Sequence, residues 1–227
     1  MNSEIESRGC NPPKVKGKKK PPTPGAKLKR PFTLAALVKD YLDEVGYNGI
    51  EKSVHAQHED YLESLENMTD WICGQKNGKK RSPLYNVDVH QRYFRVVSNQ
   101  PLINDARNKL EDILPSKNFN NFEELYKFIR GCNIKGFGPT TWYDFALRYG
   151  WHSRPCITPD EWVYVHSKPG LAANLLKEKG YIVTEITNPM RRTEFPDEIK
   201  NSRMNAADIE HFLCVYKKFI EQLPNKK

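Results

Sequence analysis

The feature that most constrains this chain is the spacing of its apolar residues, which recur at every third or fourth position from Phe32 onward. We predict that Thr33 caps the first helix, whose apolar series comprises Leu34, Leu37, Val38, Tyr41, Leu42 and Val45. This period places apolar side chains on one face of an α-helix. The same period predicts further helices within residues 53–74, 90–97, 101–114, 122–129, 139–149, 171–179 and 206–223.

Alternation typical of a strand occurs only in residues 181–186. One short strand has no partner with which to form a sheet. We therefore predict an all-α fold, a multi-helix domain over residues 32–227.

Residues 1–31 differ in composition from the rest of the chain. They contain nine basic and two acidic residues, so they carry +7 of the net charge of +8. They also contain six prolines and few apolar residues, too little apolar surface to offset the entropy of ordering. We predict a disordered Lys/Pro-rich tail. Two interpretations stay open: a cationic arm that binds polyanions, or a solubilising leader without a partner.

The five cysteines do not form a zinc or iron–sulfur motif, so we expect no metal and no cofactor. The N-terminus lacks the apolar run of a secretory signal. The longest apolar run, near residues 34–38, is far too short to span a membrane. We therefore expect free thiols, no membrane partner, and an intracellular location that is cytoplasmic or nucleoid-associated.

Residues 134–142, with the sequence IKGFGPTTW, join two of the predicted helices. Gly136 and Gly138 lack a Cβ, so they can take a positive φ and let a phosphate approach the backbone. Pro139 suits the first helical position, where no amide donor is needed. The free amides and the positive end of the helix dipole then favour an anion, and Lys135 adds positive charge.

This segment resembles the helix-hairpin-helix motif of DNA repair proteins, in which the pattern apolar, any residue, Gly, apolar, Gly precedes a helix start rich in Thr and Ala. The resemblance covers residues 122–150 and implies a hairpin that grips DNA phosphates without reading sequence. The nucleic-acid-binding residues that it implies are Lys135, Gly136, Phe137, Gly138, Thr140 and Thr141. An ordinary tight turn between two helices is the alternative.

The chain is also similar to the helix-hairpin-helix DNA glycosylase superfamily, whose members carry a catalytic Asp in a loop after the second hairpin helix. Asp160, within residues 157–163 (ITPDEWV), stands roughly at that position. Thr140 stands where the lyase-type members carry Lys, so the resemblance implies at most an N-glycosylase hydrolase without lyase activity. The residues also allow a structural interpretation, in which Thr158 caps a helix and Asp160 and Glu161 face its dipole.

Three further cations, Lys79, Lys80 and Arg81, lie in a polar segment over residues 75–83. We predict a cationic loop there that is able to contact phosphates. Tyr164 and His166 follow Asp160 and either line a pocket or pack in half-buried positions.

These observations together favour non-sequence-specific DNA binding, without catalysis, in a glycosylase-like helical domain. One alternative is a monofunctional DNA glycosylase that uses Asp160 in base excision, and another is a protein-interaction module. A pocket around Asp160 would favour the enzyme. An apolar surface around Gly136 would favour protein binding.

Overall fold

The structure, a computed structural model, describes residues 25, 28–44, 75–76, 79–80, 108–110, 114, 117–134, 137–153 and 155–226. The predicted helices within 53–74 and 90–97 lie outside these residues. The first 24 residues of the predicted tail and most of the predicted helix at 101–114 lie outside them as well.

The described part of the chain is mainly helical, as the apolar period predicts. Its helices are α1 (Leu34–Glu44), α2 (Phe122–Gly131), α3 (Pro139–His152), α4 (Ser167–Glu178), α5 (Asp197–Lys200) and α6 (Ala206–Ile220). Its strands are β1 (Gln75–Lys76), β2 (Lys79–Lys80), β3 (Trp162–Val163) and β4 (Met190–Arg191). A 3-10 helix spans Arg192–Glu194. The strands form two antiparallel pairs, β1 with β2 and β3 with β4.

Three helices begin at a polar residue whose side chain satisfies a free backbone donor. Thr33, Asn121 and Asn205 each accept a hydrogen bond from the backbone N–H three residues further on, at 3.2, 2.9 and 2.8 Å. Such caps stabilise a helix because its first N–H groups have no partner within the helix. The cap at Thr33 was predicted from the sequence, and the structure confirms it.

The strand predicted at residues 181–186 is wrong. Gly180 follows α4 with a φ of +78°. The amides of Tyr181 and Ile182 then donate back to the carbonyl of Leu176, at 2.8 and 3.3 Å. Because these amides complete the helix terminus, they do not pair with a strand, and Val183 is 89% exposed.

The helix start predicted at Thr158 is also wrong, because the chain enters β3 there. Trp162 lies opposite Arg191 in the β3–β4 pair. The carbonyl of Glu161 accepts a 2.8 Å hydrogen bond from the backbone N–H of Arg192. The backbone that would begin a helix is therefore already engaged in strand pairing.

The described residues form two compact units. The first unit contains residues 75–76, 79–80, 108–110, 114, 117–134, 144–153 and 155–158. The second unit contains residues 25, 28–44, 137–143 and 159–226. The boundary passes through α3 after Tyr143.

Packing among α1, α4, α5 and α6 builds the core of the second unit. The rings of Tyr41, Phe212 and Tyr216 lie together at its centre, with centroids 5.7, 5.9 and 5.2 Å apart. All three residues are fully buried. Large aromatic side chains contribute most of the apolar area that such a core removes from water.

Contacts to this core begin before residue 31, where the tail was predicted to end. The backbone N–H of Gly25 donates a 2.8 Å hydrogen bond to the carboxylate of Asp40, which is only 7% exposed. Arg30 donates to the side chain of Gln222, and Leu28 packs against the core. A buried carboxylate needs donors, and the backbone at residue 25 supplies one. The predicted tail is therefore shorter than 31 residues.

In the first unit, the chain that follows α3 folds back onto the helix at Gly150. A Cβ at Gly150 would lie 2.0 Å from the carbonyl oxygen of Ile157 and 3.4 Å from a methyl carbon of Leu125 on α2. The N–H of Ile157 donates a 2.8 Å hydrogen bond to the carbonyl of Gly150. This close approach leaves no room for a side chain at residue 150.

The cysteines are not all free thiols, contrary to the prediction. Cys132 and Cys214 are not part of a disulfide bond, whereas Cys156 is disulfide-bonded. The spacing of cysteines in the sequence does not predict this bond, because a disulfide depends on which cysteines the fold brings together.

Candidate nucleic-acid interface

The start of α3 has the features predicted for an anion-binding helix terminus. The first helical hydrogen bond runs from the N–H of Trp142 to the carbonyl of Gly138, at 2.9 Å. Pro139 occupies the first helical position, where it removes no hydrogen bond. The backbone N–H groups of the first turn have no carbonyl partner within the helix. Because α3 is 14 residues long, its N-terminus also carries the partial positive charge of the helix dipole.

Gly138 leaves the approach to this terminus open. A Cβ at Gly138 would meet no atom of the described residues within 4 Å. Gly138 does not take the positive φ that a glycine allows, and its carbonyl accepts the first hydrogen bond of α3. Its importance is therefore the open space beside the helix terminus and not a left-handed backbone.

The N-terminus of α4 lies at the same place. The hydroxyl oxygen of Thr140, in the first turn of α3, is 3.4 Å from the hydroxyl oxygen of Ser167, the first residue of α4. Both hydroxyls belong to the second unit, and both helices are longer than ten residues. Two positive helix ends and two hydroxyl groups therefore converge on one region of the surface.

The residue before Ser167 is a half-buried histidine. The rings of Tyr143 and Tyr164 lie against the His166 ring, with centroid distances of 6.2 and 5.9 Å. Burial lowers the pKa of His166 to about 4, since the charged form loses hydration. The ring beside the two helix ends is therefore neutral near physiological pH.

A polar side chain holds this ring from the opposite side. The amide nitrogen of Asn188 lies 2.6 Å from Nδ1 of His166. The amide oxygen of the same residue accepts a 2.9 Å hydrogen bond from the backbone N–H of Val165. Asn188 thus links the backbone before α4 to the histidine.

The structure places the predicted binding residues in different environments. Gly138 and Thr140 lie at the α3 terminus, and Phe137 is half-buried beside them in the chain. Thr141 is only 6% exposed, so its side chain does not reach a ligand at the surface, although its backbone N–H belongs to the first turn. Lys135 and Gly136 lie outside the described residues, and the complete hairpin motif remains a prediction.

The predicted cationic loop is partly a strand pair. Lys79 and Lys80 form β2, where Lys80 lies opposite Gln75 of β1. They belong to the first unit, whereas Thr140 belongs to the second. Arg81 lies outside the described residues.

Asp160, the candidate catalytic residue, is exposed on the chain that enters β3. Among the described residues, its carboxylate has no hydrogen-bond or ion-pair partner. Its neighbours serve the strand pair instead: Glu161 lies 3.5 Å from Arg191, and the Arg191 guanidinium lies 5.0 Å from the centre of the Trp162 ring. These contacts fix the loop without involving Asp160.

Sequence reasoning missed Ser167 and Asn188, because their relation to Thr140 and His166 is made only by the fold. His166 was noted together with Tyr164, and both prove to be packed against Tyr143. The signal that could have drawn attention to Ser167 is the α4 start itself, which lies four residues before the predicted one.

Among the described residues, no helix has the length and apolarity needed to cross a membrane. Within the same residues, no three His, Cys, Asp or Glu side chains are grouped so that they could hold a metal ion.

Known proteins do not extend these observations. No protein-family model matches this chain, and no curated protein or solved structure is significantly similar to it. The relationship to helix-hairpin-helix proteins therefore remains a prediction that rests on residues 122–150.

Proposed function

We propose that this protein binds the sugar–phosphate backbone of DNA without reading sequence, and that the N-termini of α3 and α4 together hold one phosphate. The observation that carries this proposal is the 3.4 Å approach of the Thr140 and Ser167 hydroxyls, which belong to the first turns of two different helices. A single phosphate at this place would receive donors from both helices.

The chemistry of the groups matches a phosphodiester. Backbone N–H groups and hydroxyls donate hydrogen bonds to anionic oxygens, and each such charge-assisted bond is worth about 1.5–3 kcal/mol. The dipoles of two helices add attraction for the negative charge. Lys168, the second residue of α4, is exposed and adds a positive charge next to Ser167.

The same groups explain why binding would not depend on sequence. Phosphate contacts position a protein on DNA but carry no base information, whereas sequence is read by side chains that reach base edges in the grooves. Thr140 and Ser167 have short side chains that reach no further than the phosphates. We therefore expect duplexes of unrelated sequence to bind equally well.

The basic N-terminal segment would add affinity without adding specificity. Residues 1–24 carry six basic and two acidic side chains, a net charge of +4. Cationic segments displace counterions from DNA and so strengthen binding in a salt-dependent way. Under this proposal the α3–α4 terminus positions the backbone and the tail raises the overall affinity.

A matched pair of substitutions at Gly138 tests the proposal. Asp and Asn are both good N-cap residues, and a Cβ at position 138 meets no atom, so Gly138→Asp and Gly138→Asn should both fold. Only Asp places a negative charge where the phosphate would lie. We expect Gly138→Asp to bind duplex more weakly than Gly138→Asn by about 1–3 kcal/mol, because the two side chains fill the same space and only Asp adds a negative charge.

Fluorescence-anisotropy titration with a labelled duplex measures both affinities, and thermal unfolding verifies that both variants are folded. Equal binding by the Asp and Asn variants would refute the phosphate site. Clear preference for one of several unrelated duplexes would refute the claim that the protein does not read sequence.

A further inference from the structure

We infer that Asn188 is a positioning residue that holds His166 as a neutral imidazole with its proton on Nε2, so that the histidine beside the α3–α4 terminus stays uncharged between about pH 5.5 and 8. This inference rests on the proposed phosphate site, because it concerns how that site attracts an anion. It adds a residue, Asn188, that the proposed function itself does not require.

The orientation of the Asn188 amide follows from its two partners. The backbone N–H of Val165 can only donate, so the atom of Asn188 at 2.9 Å from it must be the amide oxygen. The amide nitrogen therefore faces His166. If the amide oxygen and nitrogen of Asn188 were exchanged, its NH₂ group would face the N–H of Val165. Two donors would then oppose each other, so the contact with Val165 excludes this orientation.

The protonation of His166 follows from the orientation of Asn188. The amide nitrogen donates across 2.6 Å to Nδ1, so Nδ1 must carry a lone pair. A neutral imidazole has one protonated nitrogen, and this nitrogen is then Nε2. Protonation of Nδ1 would require the hydrogen bond from Asn188 to break.

The surroundings of the ring favour the same neutral state. The groups packed against it include the phenol rings of Tyr143 from α3 and Tyr164 from the segment after β3, together with the Asn188 amide. Burial lowers the pKa of His166, which favours its neutral form. The anion would therefore be held by helix dipoles, amides and hydroxyls whose strength does not change between about pH 5.5 and 8.

The tautomer can be measured on the free protein by nitrogen NMR of the histidine rings. The chain has six histidines, and the resonances of His166 are assigned as those that disappear in His166→Gln. We expect Nδ1 of His166 to resonate as an unprotonated ring nitrogen and Nε2 as a protonated one at neutral pH. A protonated Nδ1 in the wild type would overturn the inference, and this measurement needs no variant of Asn188.

The role of Asn188 is tested by Asn188→Asp, which keeps the shape and replaces the donor with an acceptor. One carboxylate oxygen can still accept from Val165, while the other favours a proton on Nδ1. We expect the pKa of His166 to rise by roughly 1 to 3 pH units, as a carboxylate in contact with an imidazole produces. DNA affinity should then become dependent on pH, being stronger in acid.

The matched control is Asn174→Asp, which adds the same charge at an exposed position of α4, where the Asn174 side chain donates a hydrogen bond to the carbonyl of Gly170. It should leave the His166 resonances and the pH profile of binding unchanged. An unchanged His166 pKa in Asn188→Asp would overturn the inference while leaving the phosphate site intact. Failure of the Gly138 pair would instead remove the phosphate site, whatever the tautomer of His166.

Discussion

The hydroxyl of Tyr216 on α6 donates a 2.6 Å hydrogen bond to the carboxylate of Asp40 on α1. The same carboxylate oxygen accepts the backbone N–H of Gly25, so one buried acid joins three segments of the second unit. Because Asp40 is nearly inaccessible to water, each donor that it loses leaves a charged oxygen less well solvated.

The first prediction concerns the strength of this contact. Tyr216→Phe removes the hydroxyl but keeps the ring in the core, so it should lower the free energy of unfolding by about 1–3 kcal/mol. Urea unfolding followed by circular dichroism measures the change. The combined variant Tyr216→Phe with Asp40→Asn should lose less than the sum of the two single variants, and strict additivity would contradict a direct interaction.

A second prediction concerns alkaline pH. Burial raises the pKa of Tyr216, and the neighbouring Asp40 raises it further. Burial and Asp208 raise the pKa of Tyr41 in the same direction. The neutral phenols are therefore favoured in the folded state, and the stability that they confer is complete below about pH 10 and is lost as the pH rises further. Urea unfolding at several alkaline pH values should show this loss, and Tyr216→Phe should lose stability less steeply; equal slopes would contradict the assignment.

A third prediction compares two helical glycines. Gly150→Ala places a Cβ against the backbone carbonyl of Ile157, which cannot move without displacing the chain after α3. We expect a loss of about 2 kcal/mol or more. Gly131→Ala is the matched control, since a Cβ there meets nothing within 4 Å, and it should be neutral or stabilise by roughly 0.5 kcal/mol. Thermal unfolding of the two variants checks the order, and similar melting temperatures would contradict it.

The fourth prediction separates the two parts of the N-terminal segment. Removal of residues 1–24 should flatten the dependence of log affinity on log salt, because fewer counterions are released. Removal of residues 1–31 should destabilise the fold more than removal of residues 1–24, because it also takes away the Gly25 donor of Asp40 and the contact between Arg30 and Gln222. Parallel salt titrations and unfolding curves distinguish these effects. An unchanged salt slope would show that the tail does not contact phosphates.

The fifth prediction concerns catalysis at Asp160. This residue is exposed, and the structure gives its carboxylate no partner among the described residues. We expect no base release from duplexes that carry alkylated, oxidised or deaminated bases, in single-turnover incubations followed by alkali. Asp160→Asn should also leave stability nearly unchanged, within about 0.5 kcal/mol. Base release by the wild type that disappears in Asp160→Asn would establish a glycosylase instead.

Local rules predicted much of the helical structure, because caps and apolar faces act over a few neighbouring residues. Thr33 and Gly180 mark helix ends in the sequence as they do in the structure. The segment at Thr158 shows where such rules fail: its residues could cap a helix, but pairing between β3 and β4, about thirty residues apart, decides its conformation. The Thr140–Ser167 and His166–Asn188 contacts were unpredictable for the same reason, since each joins residues more than twenty positions apart.

The hydrogen bond between Asp40 and Tyr216 spans 176 positions of sequence, and every described residue of the first unit lies between them. During synthesis α1 leaves the ribosome long before α6 is made. The apolar face of α1 therefore stays exposed until α6 covers it. The first unit can meanwhile be completed as soon as Thr158 has emerged. We therefore expect the first unit to fold during translation while the apolar face of α1 is still exposed. Chaperones that bind nascent chains should then bind α1.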